Sequence, residues 1–182
     1  DFYEGQIAEL LVADLSKGGS ALSKADMRAY APKWLQPAIG SYMGRRVHAV
    51  PGLSGGPTLL AALNELEEFP RDADPYSGAA ALAFARALRR ASEYRLKHLG
   101  HAAGESCTSH ISVVDAQGTM VSLTNTLLSR FGSKVVVPEL GFALNNGLMW
   151  FDPRPGHPNS IAPGRQPLAN MCPIVATLDD SP

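Results

Sequence analysis

The sequence predicts an α+β fold, because the two halves of the chain carry different hydrophobic periodicities. Before about residue 105, apolar residues mostly recur at the three- and four-residue spacing of amphipathic helices. Beyond that point, short apolar runs are separated by turn residues, which is typical of strands. The chain has 182 residues, enough for one domain with a sizeable core. Helices followed by strands within that length favour α+β layering.

Four helices and one strand are predicted in the first half. Helix starts are indicated by N-cap hydroxyls or proline, and helix ends by glycine. In order, the predicted helices are Ile7 to Leu15 before Gly18-Gly19, a helix after Ser23 with Asp26 three residues on, a helix starting at Pro57, and an alanine-rich helix from Asp74-Pro75 to about Lys97 before Gly100. A short strand from Arg46 to Val50 interrupts them.

The second half is predicted to begin with a β-hairpin. Apolar residues from Ile111 to Val114 precede the turn Asp115-Ala116-Gln117-Gly118, and a second apolar run from Met120 to Leu123 follows it. Further strands are predicted at Lys134 to Val137, Gly141 to Leu144 and Ile174 to Leu178. The proline-rich stretch from Pro153 to Asn159 is predicted to be a loop.

Composition and charge argue against several classes of partner. The net charge is −1, so no basic face for nucleic acid or an anionic membrane is expected. No apolar run approaches the roughly 18 residues that a membrane span needs. The histidines show no metal-ligand spacing, and we expect neither a metal nor another cofactor. Cys107 and Cys172 form no CxxC pair, which favours two free thiols, leaves a disulfide open and does not decide between cytoplasm and periplasm.

One ordered set of residues in the second half carries the chemistry. It begins with the run Thr108-Ser109-His110-Ile111-Ser112-Val113-Val114-Asp115 and continues with Val121 to Thr126, Phe131-Gly132-Ser133, Leu144-Asn145-Asn146 and Pro167-Leu168. This set resembles the junction between the large and small subunits of gamma-glutamyltransferases, which are N-terminal-nucleophile hydrolases. The resemblance covers most of residues 105–180 and extends more weakly through Phe2 to Gly5 and the loop Pro51 to Gly56.

The resemblance implies a four-layer αββα sandwich, of which this chain holds a part. Residues 1–107 are then the C-terminal part of the large-subunit region and mostly helical. Residues 108–182 are the start of the small-subunit region and mostly strands. The family's donor-binding arginine and the glycine pair of its oxyanion hole are expected outside Asp1 to Pro182, so the chain alone is expected to be an inactive fragment.

The resemblance also implies self-cleavage of the peptide bond between Cys107 and Thr108, with Thr108 as the nucleophile. A threonine hydroxyl is a poor nucleophile unless a base takes its proton. Once exposed, the α-amine of Thr108 titrates near about pH 7.7–8.0 and can take that role. Thr126 occupies the position of a second family threonine and is expected to orient Thr108 from the neighbouring strand. His110 is expected to be a packed or hydrogen-bonded residue rather than the base.

The resemblance places the substrate-binding positions at Leu128, Asn146, Gly147, Trp150, Ala169 and Asn170. At most of them this chain departs from the polar groups that hold a γ-glutamyl head group, with only Asn170 clearly able to hydrogen-bond where the family has a serine pair. A buried charged group that loses its partners costs several kcal/mol. We therefore expect an amide substrate with an apolar acyl or side group, and a γ-glutamyl-type substrate remains the alternative.

The full-length protein is thus predicted to be an enzyme that hydrolyses or transfers an acyl group from a small amide or peptide. Its other partners are then the remaining parts of its own two subunits, and self-association is left open. A relative that does not cleave itself, and serves as a binding or scaffold protein, is the alternative. A cysteine nucleophile at Cys107 is disfavoured, because His110 alternates to the opposite face of the strand.

Overall fold

The computed structural model describes residues 1–70, 72–100 and 107–178. The change of periodicity near residue 105 and the end of the chain from Asp179 to Pro182 lie outside these ranges. The described elements are, in chain order, α1 (Gln6–Lys17), α2 (Lys24–Ala29), β1 (Ala38–Tyr42), β2 (Arg45–Ala49), α3 (Gly56–Leu66), α4 (Gly78–His98), β3 (Thr108–Val114), β4 (Met120–Thr126), β5 (Val136–Val137), β6 (Phe142–Ala143), a 3₁₀ turn (Gly147–Trp150) and β7 (Ile174–Thr177).

All four predicted helices are present, and one of them starts later than predicted. The Ser23 hydroxyl accepts from the amide of Asp26, whose carboxylate accepts from the Ser23 amide, so α2 begins with the predicted capping box. Helix α4 does not open at Asp74-Pro75. The Asp74 carboxylate instead accepts from the Tyr76 amide in a turn, and Ser77 is the N-cap, accepting from Ala80 at 3.1 Å.

The largest sheet contains a strand that the sequence analysis did not predict. Its order is β1-β2-β7, with β2 in the centre and both pairings antiparallel. Strand β1 carries a glycine, Gly40, which brings the strand against Leu60 of α3; a Cβ there would lie 3.0 Å from the leucine side chain. The same glycine weakens the apolar alternation that marks a strand in sequence. Strand β2 lies within one residue of its predicted position.

The predicted hairpin is confirmed and forms a sheet of its own. Strands β3 and β4 pair in the register Thr108↔Thr126 through Val114↔Met120. The turn is held by the Asp115 carboxylate, which accepts from the amides of Gln117 and Thr119, and these bonds lower the pKa of Asp115. Because side chains alternate along a strand, one face of the hairpin carries hydroxyl and imidazole groups and the other carries aliphatic side chains.

The remaining predicted strands are confirmed in shorter form. Lys134 to Val137 and Gly141 to Leu144 reduce to the two-residue strands β5 and β6, and β7 covers most of Ile174 to Leu178. Helix α3 packs on strands β1 and β2 and against α4, while α1 buries Ala8 and Leu11. The mixture of helices and separate antiparallel sheets confirms the α+β class. No helix within the described ranges has the length and hydropathy to cross a membrane.

Candidate active site

The hairpin register brings the two predicted catalytic threonines together. Thr108 is the first residue of β3 and Thr126 is the last residue of β4, and the two are directly cross-strand. The Thr108 hydroxyl donates to the Thr126 hydroxyl at 3.1 Å. The cross-strand position of two β-branched residues fixes their backbones, and each has few side-chain rotamers. The contact therefore follows directly from the strand pairing.

The Thr126 hydroxyl also contacts the peptide bond that precedes Thr108. It donates to the carbonyl oxygen of Cys107 at 3.1 Å and accepts from the amide of Leu128 at 2.9 Å. With the bond from Thr108, its donor and both acceptor positions are occupied. The hydroxyl thus lies between the oxygen of Thr108 and the carbonyl next to it.

One further hydrogen bond holds the same peptide, through the backbone of Leu128. The Cys107 amide donates to the Leu128 carbonyl at 2.7 Å. Leu128 therefore hydrogen-bonds with both its backbone groups, since its amide donates to the Thr126 hydroxyl. Leu128 has φ +75°, a left-handed conformation that costs a non-glycine residue on the order of 1–3 kcal/mol. Its side chain is only 3% exposed. Burial and the two backbone bonds offset the strain, and together they set the path of the chain around the Cys107–Thr108 bond.

A cavity of about 230 Å³ adjoins Thr108. It is lined by Thr108, Thr124, Leu128, Trp150, Asn170, Met171 and Cys172. Three predicted substrate-binding residues, Leu128, Trp150 and Asn170, are therefore beside Thr108. Apart from the threonines and Asn170, this wall consists of apolar or sulfur-containing side chains. The indole of Trp150 is 9% exposed, and its N–H has no hydrogen-bond partner in the described part of the chain.

Three other predicted positions are not among the residues that line this cavity. Asn146 ties two loops together, because its amide donates to the Ser129 hydroxyl at 2.8 Å and its oxygen accepts from the Ser129 amide at 3.0 Å. Gly147 lines a separate apolar cavity near the N-terminus of the chain. Ala169 contributes its backbone, donating from its amide to the Leu53 carbonyl.

His110 is hydrogen-bonded to neighbouring hydroxyl groups, as predicted. Its Nδ1 lies 2.8 Å from the Thr124 hydroxyl, and its Nε2 lies 3.1 Å from the Ser112 hydroxyl and 3.3 Å from that of Ser122. These partners share one face of the hairpin. The imidazole is thus part of a row of hydroxyls that leads along this face towards Thr108.

Four residues at or near the cavity were not predicted from the sequence to be site residues. Thr124 and Met171 line the cavity, and Cys172 does so with a half-buried free thiol whose pKa is raised by burial. Arg95 of α4 reaches the cavity wall by hydrogen-bonding Asn170. Thr124 was detectable, since it lies two residues before Thr126 on the same strand face. The described residues contain no cluster of three side chains that could hold a metal ion.

Comparisons with known proteins match nearly the whole length of this chain to one family and its relatives. The family model for gamma-glutamyltranspeptidase matches residues 1–107 and 87–182. A glutathione hydrolase proenzyme of Pseudomonas sp. (strain A14) is 30% identical over 98% of this chain and 40% of its own length. An acylase ACY 1 proenzyme of Pseudomonas sp. (strain SE83) is 28% identical over 96% of this chain and 38% of its own length.

A solved structure has the same arrangement. The crystal structure of a cephalosporin acylase from Bacillus halodurans superimposes with a TM-score of 0.80 at 27% identity, covering 100% of this chain and 39% of the acylase. This chain therefore spans about 40% of the length of the curated relatives it matches.

Proposed function

Because this chain belongs to the gamma-glutamyltranspeptidase family, we propose that its protein cleaves itself before Thr108 and then uses Thr108 as an N-terminal nucleophile on amides. The observation that supports this most directly is the position of the Thr126 hydroxyl. It accepts from the Thr108 hydroxyl and donates to the Cys107 carbonyl oxygen, so one group orients the attacking oxygen and polarises the bond to be attacked.

Self-cleavage then proceeds in two steps. The Thr108 oxygen attacks the Cys107 carbonyl carbon, and the oxygen of that carbonyl gains negative charge next to the Thr126 hydroxyl, which stabilises it. The carbon–nitrogen bond breaks, the proton of the hydroxyl goes to the departing nitrogen, and Cys107 is left as an ester on Thr108. Water hydrolyses this ester. The products are a carboxylate at Cys107 and a free α-amine and hydroxyl on Thr108.

The new α-amine is the base for the second reaction. It takes the proton of the Thr108 hydroxyl as that oxygen attacks a substrate amide, and it returns the proton to the leaving amine. The acyl group is then carried as an ester on Thr108 until water, or another amine, removes it. The names of the relatives, glutathione hydrolase proenzyme and acylase proenzyme, support processing of this kind and acyl chemistry on amides.

We further propose that the acyl group has an apolar part. Leu128, Trp150 and Met171 give the cavity beside Thr108 a mostly apolar wall, which gains from burying hydrocarbon and offers no partner for a charged group at the far end of the acyl chain. Turnover of a γ-glutamyl anilide compared with that of aromatic acyl anilides tests this. A clear preference for the γ-glutamyl compound, at micromolar concentration, would contradict the apolar assignment and leave the nucleophile proposal intact.

The intact mass of the full-length protein tests self-cleavage itself. We expect two fragments that meet between Cys107 and Thr108, and a single uncut chain for Thr108→Ala. Thr177→Val, which changes a threonine on β7, serves as a matched control and is expected to be cut like the wild type. One uncut chain in every variant after long incubation would contradict the proposal and favour a non-catalytic relative that binds rather than cleaves.

A further inference from the structure

The guanidinium of Arg95 joins three segments behind the cavity wall. One terminal nitrogen donates to the Ser54 carbonyl at 3.3 Å and the Thr58 hydroxyl at 3.5 Å. The other donates to the Ala169 carbonyl at 3.3 Å and the Asn170 side-chain oxygen at 2.6 Å. Arg95 is half-buried, and these partners within the described ranges are neutral oxygens.

These four bonds leave the terminal nitrogens with no hydrogen for a ligand. A guanidinium has five N–H groups, of which four are on the two terminal nitrogens. Each of those nitrogens here serves two acceptors. Arg95 is also absent from the described lining of the cavity next to Thr108. Its effect on a substrate must therefore pass through the residue that it holds, and Asn170 is the one that lines the cavity.

The chemistry of arginine decides which way the Asn170 amide faces. Arginine only donates hydrogen bonds, so the Asn170 oxygen must point to the guanidinium. The amide nitrogen, with its two N–H groups, is then on the other side. It has no hydrogen-bond partner among the residues that the structure describes. Without Arg95 the amide could turn over and present its oxygen instead.

We propose that Arg95 is a positioning residue that fixes Asn170 as a hydrogen-bond donor, so that the cavity selects acyl groups carrying an oxygen acceptor on an otherwise apolar chain. This rests on the proposed function in one respect, namely that the cavity beside Thr108 receives the acyl group. Trp150 supports the same preference, because its N–H, on the same cavity wall as Asn170, is buried without an acceptor in the described ranges. A hydrocarbon chain alone leaves such donors unpaired, which costs binding.

Binding of two matched acids tests the proposal without any turnover. The probes are 5-oxohexanoate and hexanoate, which have the same length and charge and differ only in a carbonyl oxygen far from the carboxylate. Calorimetric titration of the full-length protein is expected to show about three- to tenfold tighter binding of 5-oxohexanoate, the range of one neutral hydrogen bond. Arg95→Met is expected to remove that preference by weakening 5-oxohexanoate only, and Arg95→Lys to restore most of it.

Two further variants make the result specific. Arg89→Met changes an exposed arginine of the same helix, paired with Glu93 at 3.6 Å, and is expected to keep the wild-type preference. Asn170→Asp keeps an acceptor against Arg95 but presents a second acceptor to the cavity, so we expect the preference to disappear or reverse. If Arg95→Met does not fold, Asn170→Asp still tests whether Asn170 acts as a hydrogen-bond donor in the cavity.

The outcomes separate this proposal from the proposed function. No preference in the wild type, a preference that survives Asn170→Asp, or equal weakening of both acids by Arg95→Met would each overturn the positioning role. The acids contain no amide, so the titration measures their binding without requiring any turnover, whether or not the protein cuts itself. Failure of self-cleavage is seen separately in the intact mass.

Discussion

A single hydroxyl group, that of Thr126, organises the candidate site at the scale of residues. It contacts the Thr108 hydroxyl, the Cys107 carbonyl and the Leu128 amide, and all of these contacts follow from the end of one hairpin. The sequence predicted Thr108 and Thr126 as catalytic residues because they lie in a run of residues with a family pattern. It did not identify Arg95, since one arginine in the charged stretch of a long helix looks like any other until its partners are known.

We expect Thr126→Val to slow self-cleavage without unfolding the hairpin. Valine has the same shape and a high strand preference, but it cannot donate to the Cys107 carbonyl. Loss of one donor to a developing oxyanion typically slows a reaction about 10²- to 10³-fold. The rate is measured by the appearance of the two fragments after synthesis. Thr126→Ser keeps the hydroxyl and should cut within about tenfold of the wild type; cleavage of the valine variant at the wild-type rate would refute the role.

The ion pair between Asp152 and Arg154 predicts a pH dependence of stability. The carboxylate is 3% exposed and accepts from the arginine side chain at 3.0 and 2.8 Å and from its amide at 3.0 Å. These hydrogen bonds hold the pKa of Asp152 well below its usual range. A lowered folded-state pKa adds stability above the unfolded pKa, near about 3.9, and that stability is lost as pH falls through the folded value.

Asp152→Asn should therefore lower the melting temperature at neutral pH. The difference from the wild type should narrow below about pH 4, since the unfolded wild-type chain then binds a proton that the folded chain resists. Thermal unfolding of both proteins between neutral and acidic pH measures this. Asp14→Asn removes one partner of a surface ion pair, in which the Lys17 side chain is 71% exposed and that of Asp14 is 21% exposed; this variant is the control and should change little. A difference that stays constant down to pH 2 would contradict the assignment.

At the scale of elements, the loop before α3 supports the cavity wall. Gly55 donates from its amide to the Met171 carbonyl at 3.0 Å, and Ala169 donates to the Leu53 carbonyl at 3.0 Å. The two segments approach so closely that a Cβ on Gly55 would lie 2.7 Å from the Asn170 carbonyl oxygen. The sequence predicted a loop before the helix, but nothing in it indicated which later segment the loop would contact.

Gly55→Ala is expected to reduce turnover and leave self-cleavage unchanged. The added methyl group must displace the backbone at Asn170, which moves the wall, while the hairpin carrying Thr108 and Thr126 is not contacted. Displacement of a binding group by about 1 Å can cost 10²-fold, so we expect kcat/KM to fall 10- to 100-fold. Gly78→Ala, where a Cβ would meet nothing, is the control. Equal slowing of cleavage and turnover would show that the change acts on the fold as a whole.

Elements that depend on local contacts can be predicted from the sequence more readily than elements that depend on distant ones. Helices α1 and α2 and the β3–β4 hairpin are local structures, with their caps, turns and apolar spacing contained in one stretch of chain. Strand β1 exists because it pairs with β2 and packs on α3, so its own sequence carries little evidence of it. The same holds for the cavity wall, which several distant segments build together.

At the scale of the whole molecule, the largest sheet crosses the proposed cleavage point. Strand β2 precedes Thr108 and pairs with β7, which follows it, from Arg46↔Thr177 to Ala49↔Ile174. Arg95 makes a second connection, from α4 to Asn170. The sequence predicted both strands and the class of fold. It could not predict their pairing, because two strands so far apart can meet many partners.

We therefore expect the two pieces of a cut chain to stay together. In a native size-exclusion experiment they should elute as one species, and high salt should not separate them, because backbone hydrogen bonds and buried apolar contacts are not screened as surface charges are. Concentrated guanidinium chloride should release two species. The uncut Thr108→Ala protein is the reference for the native elution volume. Separate elution of the pieces in plain buffer would show that the β2–β7 pairing does not hold them.

The sheet and the hairpin also set an order of events during synthesis. Thr108 and Thr126 meet within one hairpin, whereas the wall that faces them contains Asn170 to Cys172, made later. Contacts between near neighbours in sequence have low contact order and form quickly. On a ribosome, the nascent chain completes its threonine pair before the wall exists. On the proposed function, the protein would therefore acquire its nucleophile first and its substrate cavity second, so that an unfinished chain would have no place to hold an amide from its surroundings.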